Sequence, residues 1–310
     1  MNVDNANRIA VWVNECCAFG KGKKRWKKIA KSGDSRLLSM QAATLRPEDC
    51  DAWVQSHIQK GTRRFVAVGG DGTVNVLANA LVRSFKEPVC LGAIGTGSSN
   101  DFHKPFRNVN SIAGFPCRLD FAKPLRADLI RIRDLTMQIE RYALINASVG
   151  LTADANHYFN HPDAILRQLK SVSSQLAIFY AALRTLCVYQ TRSVEVAVDE
   201  HEAQSAVVSN IGIVKNRHFS GSFRYGFGAE PDSGDFYLYL CRNLSRSECL
   251  RTLFSLLKGS FRSQAKKSAQ RAKSLRLSAQ SPLTVELDGE VMRMKEVEIG
   301  IEAKRILLCR

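Results

Sequence analysis

RFVAVGGDGTVNVLANAL, residues 64–81, is the stretch that decides the fold. It opens on an apolar run, passes through Gly69-Gly70-Asp71-Gly72-Thr73 and ends in a second apolar segment carrying Val74 and Asn75. A plain strand-to-helix connection needs one glycine at most. Glycine tolerates positive φ and lets a ligand approach the main chain closely. A helix starting here offers unpaired N–H groups and a partial positive charge, which suits phosphate. Thr73 is placed to cap that helix. The alternative is a tight turn with Asp71 as its cap. A bare carboxylate repels phosphate, so a nucleotide in this loop requires Asp71 to hold Mg²⁺, a water or a ribose hydroxyl. The loop is neither GxxxxGK[ST] nor GxGxxG, which disfavours both of those designs.

Around this stretch the first 120 or so residues alternate in type. Residues 9–13, 37–43, 65–68 and 89–94 read as strands, and residues 74–82 and PEDCDAWVQSHIQKG as helices. Strand alternating with helix implies a parallel sheet with crossover helices. Ligands bind such sheets beyond the carboxyl ends of the strands. A second loop, LGAIGTGSSNDF at residues 91–102, ends the next strand and brings Gly95, Thr96 and Gly97. Two glycine-threonine loops on adjacent strands can form two walls of one phosphate pocket. Beyond Lys123-Pro124 the texture changes to period-two alternation, as in SVEVAVD and TVELDGEV. That pattern marks half-buried antiparallel strands. Helical stretches are expected near residues 163–189 and 245–257. The expected architecture is an α/β domain with a parallel sheet over 1–122, followed by a mostly antiparallel β-sandwich over 123–310 whose C-terminal tail can return to the first domain.

A chain of 310 residues is long enough for about two domains. With 45 Lys+Arg against 29 Asp+Glu, the formal charge of +16 implies anionic partners. Two acid-free basic segments, residues 21–31 and 258–277, suit an anionic membrane surface; solvated helix faces are the alternative. Nucleic acid is not expected, since aromatic content is 8% and no RNA-binding signature occurs. Nine cysteines without a CxxC pair fit reduced thiols of a cytoplasmic protein. MNVDNANRIAVWV lacks a basic stretch before an apolar one, and LAIFYAALRTLCVYQ is too short to span a bilayer. The expectation is a cytoplasmic protein that associates peripherally with membranes. The six histidines offer no ligand spacing, and Lys170 reads as a solvated helix lysine.

GGDGTVN at 69–75, followed by GTGSSND at 95–101, resembles the diacylglycerol kinase catalytic-domain family, whose bacterial lipid kinases and sphingosine kinases have NAD kinases as distant relatives. Asn14 with Gly20-Lys21-Gly22, Thr44, NASVGLTAD at 146–154, NRHFSGSFRYGFGAEPDSGDFYL at 216–238 and LDGE at 287–290 extend the resemblance over nearly the whole chain. Three departures stand out: Val76 where glutamate is common, Ser98-Ser99 lengthening the second loop, and Ala93-Ile94 where a proline is often found. The resemblance implies ATP and Mg²⁺ as cofactors and a diacylglycerol-like lipid as acceptor. By match, Asn14, Thr44, Gly69 to Asn75, Gly95, Thr96, Gly97 and Asp101 line the nucleotide. Asp288 is the general base, Glu290 lies beside it near the nucleotide or metal, and Asp232 or Asp235 corresponds to a structural Mg²⁺ site.

The residues themselves leave alternatives open. Asp288 follows an alternating strand and precedes Gly289, so it sits where a side chain can reach an acceptor hydroxyl. Asp-Gly is equally the commonest hairpin dipeptide. PDSGD offers oxygens to a hard cation and is also a generic turn. A sphingoid-base or NAD kinase, and a non-catalytic lipid or nucleotide binder, remain alternatives to the diacylglycerol-type kinase.

Overall fold

Strand β1 (Ile9–Asn14) is buried along its whole length, which requires a sheet covered on both faces. The computed structural model describes residues 8–105 and 110–310 and divides the chain into two units. Unit 1 takes the chain to Leu129 and regains Ala303–Arg310, and unit 2 is Ile130–Glu302. The chain passes between them inside a strand, downstream of the 122/123 boundary drawn from the sequence.

Unit 1 continues with a single turn α1 (Cys17–Gly20), α2 (Gly22–Ala30), β2 (Met40–Leu45), α3 (Cys50–Ile58), β3 (Arg64–Gly69), α4 (Asp71–Ser84) and β4 (Cys90–Gly95). The hairpin β5 (Asn110–Ile112) and β6 (Phe115–Arg118) follows, then β7 (Leu125–Asp134). The parallel strands lie in the order β2-β1-β3-β4. Leu307 and Leu308 pair parallel with Cys90 and Leu91, while β6 pairs antiparallel with Ala93 and Ile94. Val74, Leu77, Ala78 and Leu81 recur at helical spacing on α4 and are all buried. On the sheet, Ile9, Val11 and Val13 pack with Ile29 of α2, Val66, Val68 and Ile112. Register brings Val13 beside Thr44 and Val68, and Gly69 beside Gly95. The carboxyl ends of β1 to β4 therefore finish along one edge of the unit.

Unit 2 is antiparallel and β-rich, as its alternating sequence leads one to expect. After β7 come β8 (Ile139–Ala143), β9 (Asn146–Gly150), α5 (Leu151–Asn160), α6 (Ala164–Val172), α7 (Ser174–Val188), β10 (Arg192–Val198) and β11 (Gln204–Val214). A small hairpin, β12 (His218–Phe219) with β13 (Phe223–Arg224), precedes β14 (Phe236–Arg242), α8 (Arg246–Leu257), β15 (Lys267–Ala272), β16 (Leu275–Leu287) and β17 (Glu290–Leu308). Strands β9 and β10 both lie between β11 and β16, each pairing with a different part of those longer strands. Ile132, Val149, Ile211, Phe236, Leu277 and Val297 belong to one shared apolar interior. The single helix expected over 163–189 is two: Asp163 caps α6, and Ser173 ends it and caps α7. Helix α8 starts with a reciprocal capping box of Ser245 and Glu248.

Gly150 joins β9 to α5 at φ +96, and a Cβ there would stand 2.7 Å from the Ser209 carbonyl oxygen. Gly33 also has positive φ, +72, with nothing within 4 Å. Gly150→Ala is therefore expected to cost more than the strain of roughly 1–3 kcal/mol that a left-handed alanine carries by itself. Thermal melting should show a clearly larger loss for Gly150→Ala than for Gly33→Ala; equal losses would remove the clash from the account.

Candidate active site

The two glycine loops of unit 1 touch backbone to backbone. A Cβ on Gly97 would lie 2.4 Å from the Gly70 Cα, and a Cβ on Gly70 would lie 3.1 Å from the Gly97 Cα. The amide of Thr96 donates to the Gly69 carbonyl over 2.8 Å. Gly70 is the N-cap residue of α4 and supplies no side-chain cap; the Thr73 amide turns back to the Gly70 carbonyl at 3.0 Å, and the helix start ahead of it is the kind of end that suits an anion. Thr73 does not cap the helix. Its hydroxyl accepts from Asn14 Nδ2 at 2.9 Å, and its bulk leaves no room for a side chain on Gly69, where a Cβ would meet Thr73 Oγ1 at 2.1 Å. Asn14 is thus part of the loop's frame, and its Oδ1 accepts from the Cys16 amide.

Several residues matched to the nucleotide take framing positions. Asp71 Oδ1 accepts from the Phe102 amide at 2.9 Å, tying the first loop to the turn after the second. Thr96 is fully buried: its carbonyl accepts from Arg25, and its hydroxyl lies 3.5 Å from Cys17 Sγ. Val74 and Asn75 are buried in α4, and Asn79 Nδ2 donates to Asn75. Asp101 is buried and paired with Lys104 at 2.6 Å. Asn100 stands at φ 51 and holds the lengthened second loop by accepting from the Gly97 amide at 3.0 Å. Thr44, half-buried, lies at the carboxyl end of β2, one residue before the partner of Asn14. Gly70, Gly72 and Gly97 are half-buried, whereas Gly69 and Gly95 are buried.

Arg25 was not singled out from the sequence. It lies in the first basic segment, which folds as α2, and it grips the second loop through the Thr96 carbonyl. Its separation of 71 residues from Thr96 leaves no local signal. The second basic segment is less free than its acid-free sequence implies. Lys266 pairs with Glu248 at 3.0 Å, and Arg271 with Asp235 at 2.6 Å. Lys170 is not a solvated lysine either: its ammonium donates to the Phe159 carbonyl and stands 3.8 Å from the Phe159 ring centre, and burial pulls its pKa down.

In unit 2, Asp288 occupies the β16–β17 turn at φ 48, followed by Gly289 at φ 96. Its carboxylate is buried and accepts three main-chain amides: Leu144 at 2.7 Å, Ile145 at 2.9 Å and Asn146 at 2.9 Å. It is at once a turn residue and the anchor of the β8–β9 connection. Glu286 accepts from Ser148 and from the Gly289 amide, whereas Glu290 is exposed. Asp232 is exposed and Asp235 buried. Both oxygens of Asp235 are taken by Arg271, at 2.6 and 2.9 Å, and Oδ1 also accepts from Ser233 at 2.6 Å. Burial works against its charge, but Arg271, Ser233 and Lys215 outweigh it and hold the carboxyl below its ordinary range. Among the described residues no group of three or more His, Cys, Asp or Glu is arranged to hold a metal. With Arg271 on both its oxygens, the Asp235 carboxylate, one of the two matched to a structural Mg²⁺ site, does not fit one.

Unit 2 also contains an apolar cavity of about 90 Å³, walled by α5, α7, α8 and the strands β11 and β14. By that measure one water needs only ~10–15 Å³, so the space is chain-sized. Phe159, Ile178, Leu186, Phe223, Tyr225 and Leu256 line it. Its polar edges are already bonded: Asn210 Oδ1 accepts from the Thr152 amide, Ser209 Oγ from the Leu244 amide, and Thr252 Oγ1 donates to the Glu248 carbonyl. Such a cavity suits a hydrocarbon chain.

Gly97→Ala is expected to push the loops apart and weaken ATP binding at least tenfold in calorimetric titration, about 1.4 kcal/mol. Unchanged affinity would place the nucleotide elsewhere. A second expectation concerns pH. His103 is buried beside the second loop, and burial first and Arg118 second hold its imidazole down at about 3, against an ordinary 6.5. Between those values the unfolded chain binds the extra proton. The neutral fold therefore has its full stability above pH 6.5 and loses it as pH falls, by up to about 1.4 kcal/mol per pH unit. Denaturant unfolding should show a steeper loss from near neutrality to about pH 5 in the wild type than in His103→Phe. Parallel curves would contradict this.

Comparison with known proteins accords with the two units. Residues 8–130 match the diacylglycerol kinase catalytic domain, and residues 146–308 match the YegS C-terminal NAD kinase beta sandwich-like domain. A Staphylococcus carnosus (strain TM300) protein named "Putative lipid kinase" is 21% identical over 266 residues, covering 84% of this chain and 80% of its own. A crystal structure titled as a "putative diacylglycerol kinase" from Bacillus anthracis str. Sterne superposes with a TM-score of 0.72 at 16% identity, covering 97% of both chains. A further structure titled as a diacylglycerol kinase from the same organism gives 0.68 at 14% identity, covering 97% of this chain and 96% of its own. At such identities the structures speak for the fold. A chain in which both domain types follow one another in this order belongs to the diacylglycerol kinase catalytic-domain family with a YegS-type C-terminal domain.

Proposed function

We propose that this protein is an ATP-dependent lipid kinase that moves the γ-phosphoryl group to the hydroxyl of a diacylglycerol-like lipid. The observation that carries the reading is the apolar cavity of unit 2, because a phosphate cradle by itself leaves the acceptor open. In this reading the phosphates sit at the first turn of α4, against the contact of Gly70 with Gly97, with Arg25 holding the second loop in place. The acyl portion of the lipid enters among Phe159, Ile178 and Leu256. The acceptor oxygen forms a bond to the γ-phosphorus as the bond to the β-phosphate oxygen breaks, ADP leaves, and Asp288 takes the hydroxyl proton. Three amides fix the direction in which that carboxylate presents itself.

Membrane access belongs to the same proposal. No helix among the described residues is long and apolar enough to cross a bilayer. The α6–α7 hairpin, however, exposes Ile165 (57%), Val172 (75%) and Leu176 (56%) and carries Arg167 with no acid from 164 to 188. Its inner side, through Ile178 and Leu186, lines the cavity. A hairpin apolar on both sides and basic at its rim suits a peripheral contact with anionic lipid.

A second reading has one observation in its favour. The three amide bonds to Asp288 are also what a purely structural anchor requires, and a member that binds nucleotide without transferring phosphate fits that. The assay is purified protein with ATP in magnesium buffer, a panel containing diacylglycerol, sphingoid base and NAD, and Asp288→Asn as the comparison. The variant places an NH₂ or a weaker acceptor against three N–H donors, so its melting point should fall. Measured well below that melting point, it should lose about 10²–10⁴-fold in turnover of diacylglycerol. Transfer to NAD instead would overturn the lipid acceptor. No transfer to any acceptor, with ATP binding intact, would favour the non-catalytic reading.

A further inference from the structure

The turn over residues 230–235 is built round a cation that the chain supplies itself. Lys215 follows β11 and is 5% exposed. Its ammonium donates to the Glu230 carbonyl at 2.7 Å, to the Asp235 carbonyl at 3.0 Å and, more loosely, to the Ser233 hydroxyl at 3.4 Å. Two main-chain carbonyls and a hydroxyl, gathered by a short loop with Gly234 at φ 72, form an oxygen set of the sort that hard cations take from turns. The carboxylate of Asp235 is then bound by the guanidinium of Arg271 from the neighbouring strand β15. Ser233 links the two halves: its hydroxyl donates to Asp235 Oδ1 at 2.6 Å and lies 3.0 Å from the Glu230 carbonyl oxygen.

Each group has its charge answered. The oxygens that could hold a divalent ion already hold the ammonium, and the nearest buried carboxylate is spent on a bidentate arginine. A magnesium ion entering the turn would meet a buried positive charge among its own prospective ligands. Asp232, which is exposed, points to no such set among the described residues.

We propose that the Lys215 ammonium is the resident cation of the 230–235 turn, with Arg271 completing its charge balance, so that unit 2 keeps its structure without a bound divalent ion. The lysine does by covalent attachment what a metal ion does by binding. Emptying the position should convert the turn into a site that a free cation can fill. The proposal stands apart from the kinase reading, because neither nucleotide nor lipid takes part.

The test is thermal melting of the full chain without nucleotide, in chelator, in excess Mg²⁺ and in excess Ca²⁺. The wild type is expected to melt at the same temperature in all three. Lys215→Ala should melt several degrees lower in chelator, with part of the loss recovered by Mg²⁺ or Ca²⁺. Lys215→Arg, which keeps a charge, should lose less and recover nothing. A wild-type melting point that rises with Mg²⁺ and stops rising in Asp232→Asn would overturn the proposal. So would a Lys215→Ala protein as stable as the wild type. Should Lys215→Ala fail to fold, the wild-type and Asp232→Asn measurements decide by themselves.

Discussion

Gly70 and Gly97 meet Cα to Cα, and the shape of unit 1's loop edge follows from that contact. No side chain fits at either position without displacing main chain, so two loops on adjacent strands close up until the Thr96 amide can reach the Gly69 carbonyl. The contact lies at the head of a 14-residue helix whose N-cap offers no side chain of its own. Polar side chains around it brace the arrangement from behind. Asn14 holds Thr73, Asp71 holds the amide of Phe102, Asn100 holds Gly97, and Arg25 holds Thr96. Main chain crowded by glycine at the head of a helix is a design that suits an anion with many oxygens.

Unit 2 follows a related economy with its charges. Asp288 is wrapped by three amides, Asp235 by an arginine fork, and the turn before β14 by the ammonium of Lys215. A buried charge without partners is among the costliest features a fold can hold, and here each one ties two distant segments together. The same satisfaction extends to Ser209, Asn210 and Thr252 at the rim of the apolar cavity.

The backbone plan was legible in the sequence, and the partners of the polar side chains were not. Residues 9–13, 65–68 and 89–94 read as strands because they are continuous apolar runs between turn signals, and each lies in a buried parallel strand. The second strand was placed a few residues early, since Met40–Leu45 is only partly buried and carries a weak pattern. Helix α5 was missed because LTADANHYFN mixes apolar and polar residues without a clean period. Both glycine loops were found from composition alone. Asp71, Asp288 and Asp235 stand out in the sequence, yet their bonds run to residues 31, 143 and 36 positions away, a range at which local pattern carries no information. Arg25 looked like one of many lysines and arginines in a basic run, and only the folded chain sets it against the second loop.

The central proposal is that the phosphates of ATP sit where Gly70 meets Gly97, at the first turn of α4. A crystal structure of the protein soaked with a non-hydrolysable ATP analogue tests it directly. Phosphate oxygens are expected within hydrogen-bonding distance of the amides that open α4, beside Gly97. A triphosphate bound away from both loops, with Gly70 and Gly97 still in contact, would contradict it.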